Sequence, residues 1–325
     1  MKTWKISTPG NLELHEMELP AENMVKIKVT RVPLLDSDLN AFFGQGTIMP
    51  ITPGRLAVGL VSEADPATGL QKGEKVVVSP YCKAPKGKDV LVHGVDMDGF
   101  MSDYIAQPLE NVYSLPDGVT EDAALFAENV AIANKTFSIL NIESHEYVVV
   151  LGANAQGLIL AQLANYYHAI PILIDKDENK LDLARDYGIC YCVNSAVQDV
   201  KQRVLEITGG QMADYAVLEA KGGQDPSLAI NLTKNKGGVA IIGLSKHGEP
   251  LNADMRTILT RELTVVGIGD GYEEFPSAIN LLANKAIDFG GLVDERIPLE
   301  ECNEFFAKIT PDYLDNKMRI LFESH

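Results

Sequence analysis

The sequence predicts an α/β protein of two domains, one built on a doubly wound parallel sheet and one on an antiparallel barrel. Three observations support this prediction. The chain has 325 residues, which suits about two domains. After residue 121, short apolar runs alternate with patterns of helical periodicity. Before it, apolar and polar residues alternate in short segments, as in half-buried strands.

The first part of the chain is predicted to form short antiparallel strands. Residues 24–31 alternate apolar and polar side chains, and similar segments follow at 59–64 and 75–78. Gly69 and Gly73 separate the last two segments, as expected of a turn. We therefore expect an antiparallel barrel or partial barrel here.

The second part is predicted to alternate strands with helices. The predicted strands are 147–151, 170–174, 190–193, 215–218, 238–242 and 263–267, and the predicted helices are 123–140, 158–168, 179–187, 197–208 and 228–232. Strands joined by helices of this length form a parallel sheet with right-handed crossovers. The last segment, with helices at 275–285 and 301–309 and a strand at 318–322, is expected to join the first part. The predicted domains are therefore 1–128 with 268–325, and 129–267.

Composition excludes several classes of function. The formal net charge of −17 disfavours nucleic acid and anionic membrane surfaces as partners. No apolar run approaches the roughly 20 residues of a spanning helix, and the first residues lack the apolar core of a signal peptide. Four scattered cysteines are too few for a disulfide scaffold. We expect a soluble cytoplasmic protein with a small-molecule substrate.

A glycine-containing turn predicts a dinucleotide site. Gly152 and Gly157 bracket a turn between a buried strand and a helix, where free N–H groups attract a pyrophosphate. Asp175 ends the next strand, where an acid binds ribose hydroxyls and repels a 2′-phosphate. We therefore predict NAD(H) rather than NADP(H). Asn154 replaces the middle glycine, and its tolerance of left-handed backbone is expected to preserve the turn.

Several motifs in shared order resemble those of the medium-chain dehydrogenase/reductase family, particularly its zinc alcohol and polyol dehydrogenases. The motifs are Ser37-Asp38-Leu39, Pro53-Gly54-Arg55-Leu56-Ala57-Val58-Gly59, Gly73-Glu74-Lys75-Val76, Gly99-Phe100-Met101-Ser102-Asp103-Tyr104, Asp175 with Lys180, and Pro298-Leu299-Glu300-Glu301. The resemblance implies a GroES-like barrel as catalytic domain, a Rossmann cofactor domain, and a homodimer or homotetramer. The cofactor-binding residues that motif and resemblance suggest together are Gly152, Asn154, Gln156, Gly157, Asp175, Lys180, Lys221, Gly243 and Ile268.

The zinc-ligand positions of the family are changed in this sequence. Leu35, Arg55 and Leu56 stand where relatives have a cysteine, a histidine and a glutamate, and only Glu128 could still bind a metal. The cysteine-rich structural lobe is reduced to Cys82. We therefore predict that both zinc sites are absent.

The resemblance suggests Ser37 as the hydroxyl that relays a proton, with helix capping as the alternative or additional role. Arg55, paired with Glu128, is predicted either to polarise a carbonyl or to form a purely structural ion pair. His93 is interpreted as a surface-loop histidine, with a role as an acid or a ligand as the less favoured alternative.

Three functions remain open at this point. The first is zinc-independent, NAD(H)-dependent hydride transfer between nicotinamide and an alcohol or carbonyl compound, polyols and sugar-like substrates included. The second is zinc-free reduction of activated C=C bonds, as in quinone-type reductases. The third, from another class, is a degenerate nucleotide-binding protein without catalysis.

Overall fold

The computed structural model describes residues 1–19, 24–45, 48–84, 90–219, 226–243, 253–315 and 317–324. The chain divides into two compact units. The first unit comprises Met1–Glu128 and Phe289–His325, and the second comprises Asn129–Asp288. None of the helices in the described ranges is both long and apolar enough to span a bilayer.

The first unit is built mainly of antiparallel strands. Its strands are β1 (Lys2–Thr8), β2 (Asn11–Glu16), β3 (Val25–Leu34), β4 (Ala57–Glu63), β5 (Lys75–Val78), β6 (Tyr81–Lys83), β7 (Val90–Val92), β8 (Tyr104–Gln107), β9 (Val112–Ser114), β16 (Glu295–Pro298) and β17 (Ile320–Glu323). The main sheet has the order β16-β17-β3-β4-β5-β9, with β8 also paired to β3. Its short helices are α1 (Asp36–Phe42), α2 (Glu121–Ala124) and α10 (Cys302–Phe306).

Alternating burial along these strands explains the core of the first unit. Ile27 and Val29 on β3 are fully buried, whereas Lys28 between them is half-buried, as the period of two requires. They pack with Val76 of β5. A second cluster joins α1 through Leu39 to β17 through Phe322. The C-terminal strand thus belongs to the same unit as the N-terminal strands, as predicted.

The second unit is a six-stranded parallel sheet with helices. Its strands are β10 (Tyr147–Leu151), β11 (Ile170–Asp175), β12 (Tyr191–Asn194), β13 (Ala213–Glu219), β14 (Thr233–Ile242) and β15 (Thr264–Ile268). Its helices are α3 (Ala127–Leu140), which begins at the unit boundary, α4 (Ala155–Tyr166), α5 (Glu178–Asp186), α6 (Val200–Ile207), α7 (Pro226–Leu232), α8 (Met255–Thr260) and α9 (Phe275–Ala283). The strand order β12-β11-β10-β13-β14-β15 is that of a doubly wound sheet. The predicted fold class is therefore confirmed.

Several predicted boundaries differ from the structure, and two of these differences concern the junction of the two units. The predicted helix 123–140 is two helices, α2 and α3, separated by Leu125 and Phe126. The predicted boundary at residue 268 lies instead at Phe289. The reason is that the segment before Phe289 is bonded to α3 and α4. The bonds that hold it are Lys135 Nζ–Asp270 at 3.0 Å, Asn134 Nδ2–Glu274 at 2.6 Å and two bonds between Gln162 and the Asp288 backbone at 2.8 and 3.0 Å.

Candidate active site

The centre of the parallel sheet lies at β10, where the strand order reverses. From β10 the chain continues outward through β11 and β12 on one side, and later through β13 to β15 on the other. Ligands of open α/β sheets bind outside the carboxyl ends of the strands at such a reversal. The turn after β10 begins at Gly152, which follows Leu151 directly.

The backbone of this turn requires both of its glycines. Gly152 has φ +101°, a conformation that side chains disfavour, and its N–H donates to the Ile174 carbonyl at 2.8 Å. A Cβ on Gly157 would lie 1.9 Å from the Gly152 carbonyl oxygen. Helix α4 can therefore approach the end of β10 only with glycine at 157, which brings the helix N-terminus to the turn.

Asn154 caps helix α4. Its Oδ1 accepts from the Gly157 N–H at 3.0 Å, and its Nδ2 donates to the Glu219 carboxylate at the end of β13. Asn154 has φ −80° and ψ −178°, so the left-handed conformation that we expected of it is wrong. The residue is compatible with the turn because Asn is a favourable N-cap.

Asp175 stands at the carboxyl end of β11, beside the glycine turn. Its Oδ2 accepts from the Ala153 N–H at 2.7 Å, and its Oδ1 accepts from the Asp177 N–H at 2.9 Å. These two bonds fix the carboxylate next to the turn that approaches a pyrophosphate. The position is the one from which an acid binds ribose hydroxyls.

The side chain of Gln156 is occupied elsewhere. Its Nε2 donates to the Asn129 carbonyl at 3.1 Å, and its Oε1 accepts from Asn129 Nδ2 at 2.9 Å. Gln156 is also buried. Its side chain therefore joins α4 to α3, and only its backbone remains available in the first turn of the helix.

The other predicted cofactor residues are distributed along the same edge. Gly243, with φ +71°, follows β14, and its N–H donates to the carbonyl of Ile268 at the end of β15 at 3.3 Å. Lys180 is half-buried on α5, which follows β11. Lys221 lies outside the described residues.

In the first unit, a buried carboxylate holds the backbone near Ser37 and Arg55. Asp38 Oδ2 accepts from the Leu35 N–H at 2.8 Å, and its Oδ1 accepts from the Gly54 N–H at 2.7 Å. Burial raises the pKa of Asp38 to about 6, although the two N–H groups act in the opposite direction. Asp38 thus connects the start of α1 to the turn that carries Arg55.

Ser37 does not cap a helix, because α1 begins at Asp36 and the N-cap residue is Leu35. The alternative role as a helix cap is therefore wrong. Its Oγ is buried and has no hydrogen-bond partner within the described part of the chain. A buried hydroxyl without a partner is unfavourable, so this group is available to a ligand.

Arg55 and Glu128 form the predicted ion pair. The Arg55 guanidinium donates to Glu128 Oε1, and the Tyr81 hydroxyl donates to the same oxygen at 2.8 Å. Burial lowers the pKa of Arg55, but Glu128 and Tyr81 outweigh this effect and raise it, so the charge is retained. Arg55 Nε is buried and lacks a partner among the residues that the structure describes.

His93 is not a surface histidine. Only 2% of it is exposed, its ring packs on Phe100 with centroids 4.4 Å apart, and its Nδ1 lies 2.8 Å from the Asp98 carbonyl oxygen. Burial lowers the pKa of its ring. The surface interpretation failed because Asp96 and Asp98 suggested an exposed loop, whereas the burial of His93 depends on contacts with Pro80 and Phe100 that no local pattern shows.

The comparisons with known proteins agree with this architecture. Residues 21–117 match the alcohol dehydrogenase GroES-like domain, and residues 155–284 match the zinc-binding dehydrogenase domain. Together they cover more than half of the chain. The chain belongs to the medium-chain dehydrogenase/reductase family. It is a dehydrogenase of the alcohol dehydrogenase type, which uses a nicotinamide cofactor.

Relatives match nearly the whole chain. A zinc-type alcohol dehydrogenase-like protein from Haemophilus influenzae is 29% identical, over 97% of this chain and 96% of its own length. Sorbitol dehydrogenase from Halalkalibacterium halodurans is 27% identical over 89% of each chain. The solved structure of a zinc-binding dehydrogenase from Sinorhizobium meliloti, bound to NADP, superposes with a TM-score of 0.88 at 22% identity, covering 99% of this chain and 98% of that one.

The zinc of many family members does not suit the side chains found here. Leu35 and Leu56 have no lone pairs, and Leu56 is 1% exposed within the core. Arg55 is a cation, and its partner Glu128 is the one carboxylate left of the ligand positions. Across the described residues, no group of three or more His, Cys, Asp or Glu side chains could hold a metal. This donor set does not fit a catalytic zinc.

Sequence reasoning missed three contributors to these two sites. Tyr81 begins β6 and Glu219 ends β13, and neither residue is part of a recognisable motif. Asp38 was noticed only as part of a motif, and its role as an anchor became visible from its two backbone partners. An acid three residues after a helix N-cap is a capping signal that could have identified it.

Proposed function

We propose that this enzyme is an NAD(H)-dependent, zinc-independent oxidoreductase that interconverts an alcohol and its carbonyl compound. The observation that carries the proposal is that two buried groups in the segments joined by Asp38, Ser37 Oγ and Arg55 Nε, lack a hydrogen-bond partner in the described structure. Both can donate a hydrogen bond to a substrate oxygen. Bound NAD(H) would supply the carbon that accepts or releases the hydride.

Arg55 is suited to replace the metal ion electrostatically. Hydride addition to a carbonyl carbon builds negative charge on the oxygen, and fixed donors or cations in a dry site stabilise that charge. Glu128 and Tyr81 hold the guanidinium in place and preserve its charge. We assign Ser37 the transfer of a proton to or from the same oxygen.

The test of this role is the substitution Arg55→Ala, assayed with alcohols, polyols, aldehydes, ketones and activated alkenes. We expect kcat/KM for the carbonyl substrate to fall. The fall should correspond to a loss of about 2–4 kcal/mol of transition-state stabilisation. Urea unfolding would measure the folded fraction, and Arg203→Ala, which removes an exposed arginine, is the matched control. Unchanged turnover per folded molecule would leave Arg55 with a structural role only.

Zinc independence is tested separately. We expect protein purified without added metal to contain no stoichiometric zinc by elemental analysis, because one carboxylate cannot hold the ion against water. We also expect chelators to leave activity unchanged. A zinc content near one ion per chain would contradict the proposal. Turnover of activated alkenes alone would instead favour the quinone-type reductase.

The preference for NAD(H) is proposed from Asp175. Gly152 and Gly157 allow the backbone to approach a pyrophosphate, and the Asp175 carboxylate would repel a 2′-phosphate. Asp175→Ser should relax the preference, seen as a lower ratio of the Kd values for NADPH and NADH. Tighter binding of NADPH than NADH by the unchanged enzyme would refute this assignment.

Substrate class and assembly complete the proposal. Similarity to sorbitol dehydrogenase supports a polyol or sugar-like substrate. We assign the cofactor to residues 129–288 and substrate chemistry to residues 1–128 with 289–325.

We also propose a homodimer or homotetramer, because β15 is an edge strand of the parallel sheet.

A further inference from the structure

Near the Gly54–Arg55 turn, another buried polar atom has no hydrogen-bond partner among the described residues. It is Nε2 of His93, and it accompanies Ser37 Oγ and Arg55 Nε. All three residues belong to segments that meet at one turn, Gly54–Arg55. Ser37 precedes Asp38, which accepts from the Gly54 N–H, and a Cβ on Gly94 would lie 3.3 Å from the Arg55 amide nitrogen.

The backbone of His93 is also attached to the segment that carries Tyr81. The His93 N–H donates to the Pro80 carbonyl at 2.9 Å, and Pro80 directly precedes Tyr81. Tyr81 in turn contacts both members of the ion pair, since its hydroxyl donates to Glu128 and its ring lies 5.8 Å from the Arg55 guanidinium carbon. His93 is therefore next to the groups that we assign to the substrate oxygen.

The chemical character of His93 differs from that of its neighbours. The Asp98 carbonyl oxygen can only accept, so Nδ1 carries the proton of that bond. Burial favours the neutral ring. Nε2 then has a lone pair and no proton, which makes it an acceptor, whereas Arg55 Nε is a donor. A carbonyl oxygen can accept from Arg55 Nε but has no proton to donate to Nε2, so a carbonyl substrate that satisfies both nitrogens must also carry a separate O–H donor.

We propose that His93 Nε2 accepts a hydrogen bond from a second hydroxyl group of the substrate, close to the carbon that exchanges hydride. The substrate class is then a polyol or hydroxy-carbonyl compound rather than a monofunctional alcohol or ketone. This inference rests on the proposed function, because it places the reacting oxygen at Arg55 and Ser37. A site built to bind a hydroxyl discriminates strongly against analogues that lack it, since the buried acceptor is left unpaired.

The first test uses matched carbonyl substrates with NADH. Dihydroxyacetone is compared with acetone, and acetoin with butanone, so that each pair differs in hydroxyl groups beside the carbonyl. We expect kcat/KM of the hydroxylated member to be higher by about tenfold or more. Equal kcat/KM values within both pairs would overturn the inference.

Two substitutions separate the two ring nitrogens. His93→Asn keeps a donor near the Asp98 carbonyl but removes the acceptor at Nε2, and His93→Gln keeps a polar atom near Nε2. We expect His93→Asn to abolish the preference for the hydroxylated substrate by raising the KM of that substrate. We expect His93→Gln to retain part of the preference. His168→Asn, at an exposed histidine of the second unit, is the matched control. An equal loss of kcat/KM for both substrates of a pair would contradict the assignment of Nε2.

A second readout is independent of turnover. In ¹⁵N NMR spectra of the enzyme with NADH, the two ring resonances that His93→Asn removes belong to Nδ1 and Nε2 of His93. The Nε2 resonance reports directly on the proposed hydrogen bond. We expect Nε2 to be unprotonated. We expect its resonance to shift upfield when acetoin or dihydroxyacetone is added, but not when butanone or acetone is added. A protonated Nε2, or an Nε2 resonance that shifts with neither hydroxy-ketone, would overturn the inference. Movement without turnover would support the hydroxyl site while contradicting the proposed function.

Discussion

At the scale of single residues, Asp38 is the side chain on which the backbone around Ser37 and Arg55 depends. It is fully buried, and its two oxygens accept from backbone N–H groups of Leu35 and Gly54 that are 19 positions apart in the sequence. The same carboxylate therefore fixes both the first turn of α1, which contains Ser37, and the turn that presents Arg55. Its burial makes the charged form unfavourable, as its raised pKa indicates.

We predict a specific dependence of stability on pH from this residue. Its pKa is raised from 3.8 to about 6, so the native state holds the proton more tightly than the unfolded state. The contribution of Asp38 to stability is then present below about pH 4 and is lost as the pH rises through 6. The advantage of the unchanged protein over Asp38→Asn in urea unfolding should shrink by about 2 kcal/mol between pH 4 and 7. An advantage that grows with pH would contradict this sign.

At the scale of elements, the contact between β10 and α4 creates the dinucleotide edge. Gly157 faces the Gly152 carbonyl so closely that no side chain fits, and Asn154 caps the helix that begins after it. A helix of 12 residues then directs its free N–H groups to the turn. The glycine is thus required by packing, and the proposed cofactor site depends on that packing.

We predict that Gly157→Ala lowers both stability and NADH affinity. Its Cβ would collide with backbone, so α4 must move away from β10, at a cost of at least about 2 kcal/mol in unfolding free energy. Gly269→Ala is the matched control, because a Cβ there meets nothing within 4 Å. Chemical denaturation and fluorescence titration with NADH would measure the two effects. Similar unfolding free energies for the two variants would show that the close approach is not needed.

At the scale of the whole molecule, the parallel sheet has two edge strands in the described structure, β12 and β15, and apolar side chains are exposed beside β15. The edge strand β15 exposes 38% of Val265, and the preceding helix α8 exposes 71% of Met255 and 78% of Leu259. Apolar side chains beside an open edge are normally covered in stable proteins. A second copy of the chain, paired along β15, would cover both features.

We therefore predict an oligomer built from dimers. Light scattering at micromolar concentration should give about twice the chain mass of 35.4 kDa, or a multiple of that dimer. Val265→Lys places a charge at the pairing edge and should shift the mass toward that of one chain. Val197→Lys, at an exposed valine outside β15, is the control. A monomeric mass for the unchanged protein would refute the prediction.

The sequence by itself determined the class of the fold and the region of the cofactor site. The strand predicted at 147–151 agrees with β10, and the one at 170–174 is one residue shorter than β11, because strands buried on both faces are continuous apolar runs. The positions of Gly152, Gly157 and Asp175 followed from the same pattern. These features depend on residues that are close in the chain, so local periodicity contains the information.

Only the tertiary structure decided how the side chains of the first unit are paired. Glu128 lies 73 residues from Arg55, and Tyr81 joins them without any local motif to announce it. The burial of His93 arises because its segment folds against Pro80 and Phe100. Whether a polar group is satisfied or left for a ligand depends on atoms brought together from distant positions in the chain. That arrangement is a property of packing, which no periodicity of the sequence encodes.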